Sequence, residues 1–163
     1  MLRISEYIRD TLTGRPARPF PGVILIWNLT RGCNLACQHC YAAAGRPDPD
    51  ELDTREALDL VPQFRKAGVL YAILSGGEPL ARRDVFELAL ALRREGIATS
   101  LSTNGLLVTP RNLARIRQCF DYVGISLDGT ESVHDNFRGM QGAYQRSLAA
   151  LRQCREAGLR TGL

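Results

Sequence analysis

Several features that would place a protein in a common functional class are missing from this sequence of 163 residues. Its longest strongly apolar run, Val23–Trp27, is far shorter than the roughly 20 residues that a membrane span needs, so no membrane contact is expected. Lys and Arg number 21 against 17 Asp and Glu, and this surplus of 21 − 17 = 4 is scattered, which argues against a nucleic-acid partner. No Walker-type or G-x-G-x-x-G loop indicates a nucleotide-phosphate site.

An apolar signal core is also missing from the charged segment Met1–Asp10, so we expect a cytoplasmic protein without structural disulfides. What the chain does have is 45% hydrophobic and 23% charged residues, which is typical of a packed globular domain. It also has five cysteines, an odd number, and three of them fall between Cys33 and Cys40. That clustering indicates a metal or cluster site.

Short apolar runs alternate with amphipathic ones after a proline-rich preface. The capping pair Asp53 and Glu56 begins one of the helices, and glycines end three of them. Predicted strands cover Val23–Trp27, Val69–Leu74, Ala98–Ser102 and Tyr122–Ser126, with a fifth beginning at Leu159, and predicted helices cover Asp53–Ala67, Arg83–Glu95, Thr109–Cys119 and Ala143–Ala157. Because the first run has no polar alternation, we expect it to be covered on both faces.

Strict alternation of strand and helix predicts an α/β fold with a parallel sheet, either open and doubly wound or the start of a βα barrel. A complete barrel takes about 250 residues. Four βα units and the start of a fifth therefore favour a partial TIM-type barrel. We expect an N-terminal arm over residues 1–22, with a short helix near Leu2–Leu12, and a core over residues 23–163 whose C-terminal part is absent.

Polar, glycine-bearing loops follow each of the first four predicted strands. They begin with Thr30-Arg31-Gly32-Cys33, Ser75-Gly76-Gly77-Glu78-Pro79, Thr103-Asn104-Gly105 and Asp128-Gly129. Because the carboxyl ends of parallel strands meet at one edge of the sheet, these loops are expected to form one site.

The first of these loops holds Cys33, Cys37 and Cys40 in a C-x3-C-x2-C spacing. Three thiolates can bind three irons of a [4Fe–4S] cluster and leave the fourth iron open. A structural zinc site is the alternative, but it needs four ligands, the second cysteine pair is missing, and His39 directly precedes Cys40. A closed cluster in an electron carrier is another alternative. Three unligated cysteines would expose reactive thiols.

The three cysteines, followed by Tyr41, together with Gly76-Gly77-Glu78-Pro79 after the second strand, resemble the radical S-adenosylmethionine (SAM) superfamily. This resemblance implies a [4Fe–4S] cluster on Cys33, Cys37 and Cys40 whose open iron binds SAM. It also implies an enzyme in which the reduced cluster cleaves SAM to a 5′-deoxyadenosyl radical.

The same resemblance implies a set of SAM contacts. Gly76 and Gly77 would allow close backbone approach, and Glu78 would accept from the SAM ammonium group. Arg138 would pair with the SAM carboxylate, a geometry that favours a guanidinium. The remaining implied contacts, to the ribose, the methionyl end or the carboxylate, come from Tyr41, Ser102, Thr103, Asn104, Ser126 and Asp128.

Within the superfamily, the segments around Asn28-Leu29-Thr30 and Cys33-Asn34-Leu35 most resemble radical SAM enzymes of haem d1 biosynthesis, which remove propionate side chains from a sirohaem-derived tetrapyrrole. Peptide-modifying enzymes and alternative haem synthases share these segments and stay open as alternatives. The resemblance implies a small-molecule substrate, or a peptide, and an electron donor such as flavodoxin or ferredoxin. The relatives' cysteine-rich C-terminal extension is not in this sequence, so we expect an N-terminal fragment that can lack turnover.

Overall fold

The computed structural model describes residues 22–163 together with Thr13, and the expected arm with its helix near Leu2–Leu12 lies almost entirely outside the described residues. The described part contains five strands and five helices, with one helix between successive strands except before the fifth strand, which two helices precede. The strands are β1 (Val23–Asn28), β2 (Val69–Ser75), β3 (Ala98–Thr103), β4 (Tyr122–Ile125) and β5 (Arg160–Gly162). The helices are α1 (Thr54–Lys66), α2 (Val85–Arg94), α3 (Pro110–Cys119), α4 (Glu131–Arg138) and α5 (Ala143–Glu156), with a short 3-10 helix at Pro79–Ala81.

All five strands form one parallel sheet in the order β1-β2-β3-β4-β5. Each crossover therefore joins neighbouring strands, whereas a doubly wound sheet would reverse its order at a switch point. Asn28 lies beside Ser75 and Thr103 beside Ile125, so the strands end at a common edge. The prediction of an α/β fold with a partial barrel is confirmed.

The predicted capping box begins helix α1. Asp53 Oδ1 accepts a hydrogen bond from Glu56 N at 2.8 Å, and Glu56 Oε2 accepts one from Asp53 N at 2.9 Å. The helix ends at Lys66, and Gly68, just after the cap residue Ala67, has a φ of +81° in the left-handed region that favours glycine. Local sequence signals thus set both ends of this helix.

The main core lies between the sheet and the helices, where Leu74, Leu101 and Val123 are fully buried. Cys119 and Cys154 are buried in the same core, as small apolar residues would be, and burial raises the pKa of Cys154 to about 11. Among the described residues, no helix is long and apolar enough to cross a membrane.

Two expectations about this fold are wrong. Strand β1 is covered on one face only: Trp27 packs edge-on against Phe64 of α1, but Ile26 on the other face is 62% exposed, because no described helix covers that face of the sheet. The second error is an omission: α4 is not among the helices predicted from the sequence. His134 therefore lies inside a helix and is buried.

Candidate functional site

A cavity of about 190 Å³ lies at the carboxyl edge of the sheet, where the polar loops meet. It collects every predicted site residue except Glu78 and Asp128. Its lining consists of Cys33, Leu35, Cys37, His39, Cys40, Tyr41, Ala44, Ser75, Gly76, Gly77, Ser102, Thr103, Asn104, Ser126 and Arg138. The convergence of loops that strand order predicted is therefore present.

The segment that carries the cysteines, residues 32–45, closes on itself and is called here the cysteine loop. Cys33 N donates to Gly45 O at 2.9 Å, and Gly45 N donates to Arg31 O at 2.8 Å, so the two ends of the loop pair like short parallel strands. The Arg31 guanidinium donates to Ala43 O at 3.2 Å and to Asp48 Oδ2 at 3.1 Å. These contacts fix the base of the loop.

Each cysteine of the loop has a hydrogen-bond donor near its sulfur atom. Leu35 N lies 3.4 Å from Cys33 Sγ, Ala44 N lies 3.3 Å from Cys40 Sγ, and Arg138 Nη1 lies 3.8 Å from Cys37 Sγ. Such donors stabilise thiolates. Burial raises the pKa of Cys33, and the Leu35 amide opposes that shift. The donor set fits an iron–sulfur cluster.

Within residues 22–163, no three Cys, His, Asp or Glu side chains meet closely enough to hold a single metal ion. A [4Fe–4S] cluster does not need them to meet, because each thiolate binds a different iron atom. A tetrahedral zinc ion would need four ligands around one point. The lack of a single-ion site among these residues is therefore no argument against a cluster.

The glycine loop after β2 packs backbone against backbone on the start of the cysteine loop. Gly77 N donates to Thr30 O at 2.7 Å, and Glu78 N donates to Gly32 O at 2.9 Å. A Cβ atom on Gly77 would lie 2.4 Å from Gly32 O, and Gly76 has a φ of +128°. The chain thus needs both glycines for its own packing, in addition to any approach by a cofactor.

Glu78 is fully buried and does not line the cavity. Its carboxylate accepts hydrogen bonds from Thr103 Oγ1 at 2.8 and 2.9 Å, from Asn104 N at 2.9 Å and from Leu80 N at 3.0 Å. Burial raises the pKa of Glu78, and these donors oppose the shift. These contacts make Glu78 a brace between the loops after β2 and β3, whereas its contact with the SAM ammonium stays a prediction.

Asn104 extends the same network to the cysteine loop. Its Nδ2 donates to Asn34 Oδ1 at 2.8 Å, and its Oδ1 accepts from Leu106 N at 2.9 Å. Thr103 and Asn104 reach the cavity wall, but their side-chain polar groups are bonded within the protein. Asn34 was not among the predicted site residues, and only its position next to Cys33 could have indicated it.

Three serine hydroxyls are available to a bound molecule. Ser102 and Ser126, both predicted, line the cavity, and their hydroxyls make no hydrogen bond with the part of the chain that the structure describes. Ser75 also lines the cavity, its hydroxyl likewise has no partner among the described residues, and it was not among the predicted site residues. Its position at the end of β2, directly before Gly76, is the signal that could have identified it.

Asp128 lies behind the cavity and holds Arg138. Arg138 Nε donates to Asp128 Oδ2 at 2.6 Å, and the backbone N of Asp128 donates to His134 Nδ1 at 3.2 Å. Burial lowers the pKa of His134, and the positive charge of Arg138 adds to the shift, so this imidazole is neutral near pH 7. His39, considered above as a zinc ligand, lines the cavity with its Nε2 3.7 Å from Asp128 Oδ1.

A three-cysteine loop and a glycine loop that meet at the carboxyl edge of a parallel half-barrel define a class of cofactor-dependent proteins. The chain belongs to the radical SAM superfamily, whose family model matches residues 27–163. A [4Fe–4S] cluster and SAM are the cofactors characteristic of this superfamily. Membership of this superfamily supports the prediction of a cluster with an open iron over the alternatives of a structural zinc site and a closed cluster in an electron carrier.

The relatives that match include synthases named for haem compounds and a mycofactocin maturase. Pre-heme d1 synthase from Dinoroseobacter shibae is 42% identical over all of this chain and 42% of its own length. Fe-coproporphyrin III synthase from Methanosarcina barkeri is 40% identical over 86% of the chain and 36% of its own length. Mycofactocin maturase MftC from Mycobacterium tuberculosis is 39% identical over 83% of the chain and 35% of its own length. The chain therefore spans about two fifths of the length of these relatives.

Solved structures share the fold. Streptococcus suis SuiB bound to S-adenosylmethionine superposes with a TM-score of 0.73 at 20% identity, over 98% of this chain and 37% of that one. Native anSMEcpe with bound AdoMet gives 0.69 at 23% identity, over 85% of this chain and 42% of that one. At this identity the likeness shows the partial-barrel fold alone.

Proposed function

We propose that this chain carries the cluster-binding and SAM-binding part of a radical SAM enzyme that acts on propionate side chains of a tetrapyrrole. The observation that carries the proposal is the cavity in which three cysteines, each with a nearby donor, face the glycine loop and the free serine hydroxyls. When bound and reduced, the cluster supplies the electron that cleaves SAM to a 5′-deoxyadenosyl radical.

The residues of the chain divide the binding task by position. Cys33, Cys37 and Cys40 would hold three irons and leave the fourth to SAM. Ser102 and Ser126, whose hydroxyls have no partner among residues 22–163, are placed to bind the ribose or the methionyl end. The resemblance gives Tyr41, which is 81% exposed at the cavity rim, a further contact. The buried brace of Glu78, Thr103 and Asn104 keeps the loops in register while these groups bind.

The substrate assignment is supported by the relatives. Identity to pre-heme d1 synthase extends over the whole chain, and Fe-coproporphyrin III synthase and AdoMet-dependent heme synthases match at 38–42%. Each of these names contains haem or a coproporphyrin, and both are tetrapyrroles. The second candidate is a peptide substrate, which the 39% identity to mycofactocin maturase favours. A flavodoxin or ferredoxin is proposed as the electron donor.

The cofactor part is tested by anaerobic reconstitution with iron and sulfide, followed by metal analysis and electron paramagnetic resonance with and without SAM. We expect about four irons per chain, a spectrum that changes when SAM is added, and release of 5′-deoxyadenosine after reduction by dithionite. A colourless protein that holds one zinc ion, or a cluster whose spectrum ignores SAM, would contradict the proposal.

Serine substitutions identify the ligands. Replacing Cys33, Cys37 or Cys40 with Ser is expected to abolish the cluster, because each thiolate binds one iron. Cys119→Ser and Cys154→Ser are matched controls that remove a buried thiol elsewhere and should leave the iron content unchanged. The reverse pattern would show that the ligand set is wrong.

The substrate is tested by mass spectrometry of reaction products. A propionate-bearing tetrapyrrole incubated with the reduced, SAM-loaded protein should lose propionate carbon in a SAM-dependent manner, whereas peptides should be unchanged. SAM-dependent modification of a peptide with no change in the tetrapyrrole would favour the second candidate.

A further inference from the structure

We propose that Arg138 acts on the cluster through Cys37, donating to its thiolate and making the cluster easier to reduce, and that Asp128 is the positioning residue that holds Arg138 there. The inference rests on the proposed function and deepens it. The resemblance gives Arg138 a different task, pairing with the SAM carboxylate. The two tasks differ in what they predict when SAM is absent.

The geometry points Arg138 at a ligand sulfur. Its side chain is only 12% exposed, with Nη1 3.8 Å from Cys37 Sγ and Nε 2.6 Å from Asp128 Oδ2. A guanidinium is a planar, rigid fork, so the bond at Nε also fixes the direction of Nη1. Asp128 thereby aims the charge of Arg138 at Cys37.

Asp128 is itself fixed from the side away from the cavity. Its backbone N–H donates to Nδ1 of His134, which is 1% exposed. The carboxylate accepts from Arg138 through Oδ2, which also lies 3.4 Å from His134 Nδ1, and its Oδ1 lies 3.7 Å from His39 Nε2. The loop after β4 therefore presents Asp128 in one orientation.

The end of α4 is attached to the cysteine loop by contacts that do not involve Arg138. Gln38 N donates to Phe137 O at 3.1 Å, and a Cβ atom on Gly139 would lie 3.3 Å from Ala36 O. Cys37 lies between Ala36 and Gln38 in the cysteine loop, and Arg138 lies between Phe137 and Gly139, so one contact lies on each side of the pair. The approach of guanidinium and sulfur is thus a property of the fold.

A positive charge beside a cluster ligand stabilises the reduced cluster more than the oxidised one, because reduction adds one negative charge. Arg138 is the cation that the structure brings to a ligand sulfur. Hydrogen bonds to ligand sulfurs shift cluster potentials in the same direction. Removing Arg138 should therefore lower the reduction potential even when no SAM is bound.

The experiment is a redox titration of the reconstituted chain without SAM, followed by electron paramagnetic resonance of the reduced cluster. In Arg138→Gln we expect the ratio of reduced to oxidised cluster at a fixed potential to fall at least tenfold, a midpoint about 59 mV more negative for one electron. Arg152→Gln, which removes an exposed arginine on α5, is the matched control and should titrate like the wild type.

Asp128→Ala separates positioning from charge. Loss of the Asp128 negative charge alone would raise the midpoint reduction potential of the cluster. Release of Arg138 from its position beside Cys37 would lower it. We expect the second effect to be larger, so that the midpoint potential falls. If Arg138→Gln does not retain iron, Arg138→Lys replaces it. Lysine keeps the charge without the fork, so its midpoint should lie between those of the wild type and Asp128→Ala.

Unchanged midpoints in the Arg138 variants, or a higher midpoint in Asp128→Ala, would overturn the inference. Weaker SAM binding by Arg138→Gln with an unchanged SAM-free midpoint would do so too, because it would assign the residue to SAM alone. Failure of the wild-type chain to assemble a cluster would instead refute the proposed function, so the two failures are distinguishable.

Discussion

Replacing Glu78 tests whether a buried carboxylate braces the loops after β2 and β3. Its oxygens accept from Thr103 Oγ1, Asn104 N and Leu80 N, all within 3.0 Å. Glu78→Ala leaves these three donors without their acceptor, and a buried unsatisfied donor costs about 1–3 kcal/mol. Because the cavity beside the brace can admit water, we take the lower end and expect a loss of about 3 kcal/mol in the free energy of unfolding.

Glu78→Gln removes the charge and keeps one acceptor oxygen, so we expect a smaller loss of about 1–2 kcal/mol. The way this loss of stability changes with pH has a definite sign. Because burial raises the folded-state pKa of Glu78 above 4.5, the stabilisation from this group is fully present below pH 4.5 and is lost as the pH rises through the folded pKa. The deficit of Glu78→Gln should therefore shrink as the pH rises.

The assay is urea unfolding of the reduced chain without cluster, followed by circular dichroism at pH 5 and pH 8. Glu156→Ala, an exposed change on α5, is the control and should fall within about 0.5 kcal/mol of the wild type. A loss below about 1 kcal/mol in Glu78→Ala, or a Glu78→Gln deficit that grows with pH, would refute the reasoning.

Two further predictions concern packing and pH. Gly77→Ala should cost about 1–3 kcal/mol in urea unfolding, because its Cβ would lie 2.4 Å from the Gly32 carbonyl oxygen, whereas Gly45→Ala, which meets nothing within 4 Å, should be neutral; equal losses would contradict this. His134 has a folded pKa below 6.5, so the wild type should lose stability as the pH falls below 6.5 while His134→Gln lacks that component; parallel pH profiles would show that His134 does not contribute.

Much of the fold was readable from local signals. The capping box at Asp53 and Glu56 and the glycine after α1 fixed a helix that the structure reproduces within a residue. Helix α4 was missed because its eight residues are mostly polar and its apolar side chains Val133 and Phe137 are largely exposed. The exposed face of β1 was misjudged because a continuous apolar run does not say how many faces of a strand are covered.

The candidate site, like the fold, could be predicted from the sequence only in part. Spacing predicted Cys33, Cys37 and Cys40 as ligands, because residues close in sequence are also close in space. It could not show that Glu78 turns inward to Thr103 and Asn104, since that depends on how the loops after β2 and β3 pack together.

From the sequence alone came the alternation of strands and helices, the cysteine spacing and the position of the glycine loop, all of which depend on residues near one another in the chain. Only the tertiary structure showed the contacts of Asp128, Arg138 and Asn34, because their partners lie 10, 101 and 70 residues away along the chain. Side-chain direction at a loop junction is set by the packing of neighbouring loops, which sequence order does not encode locally.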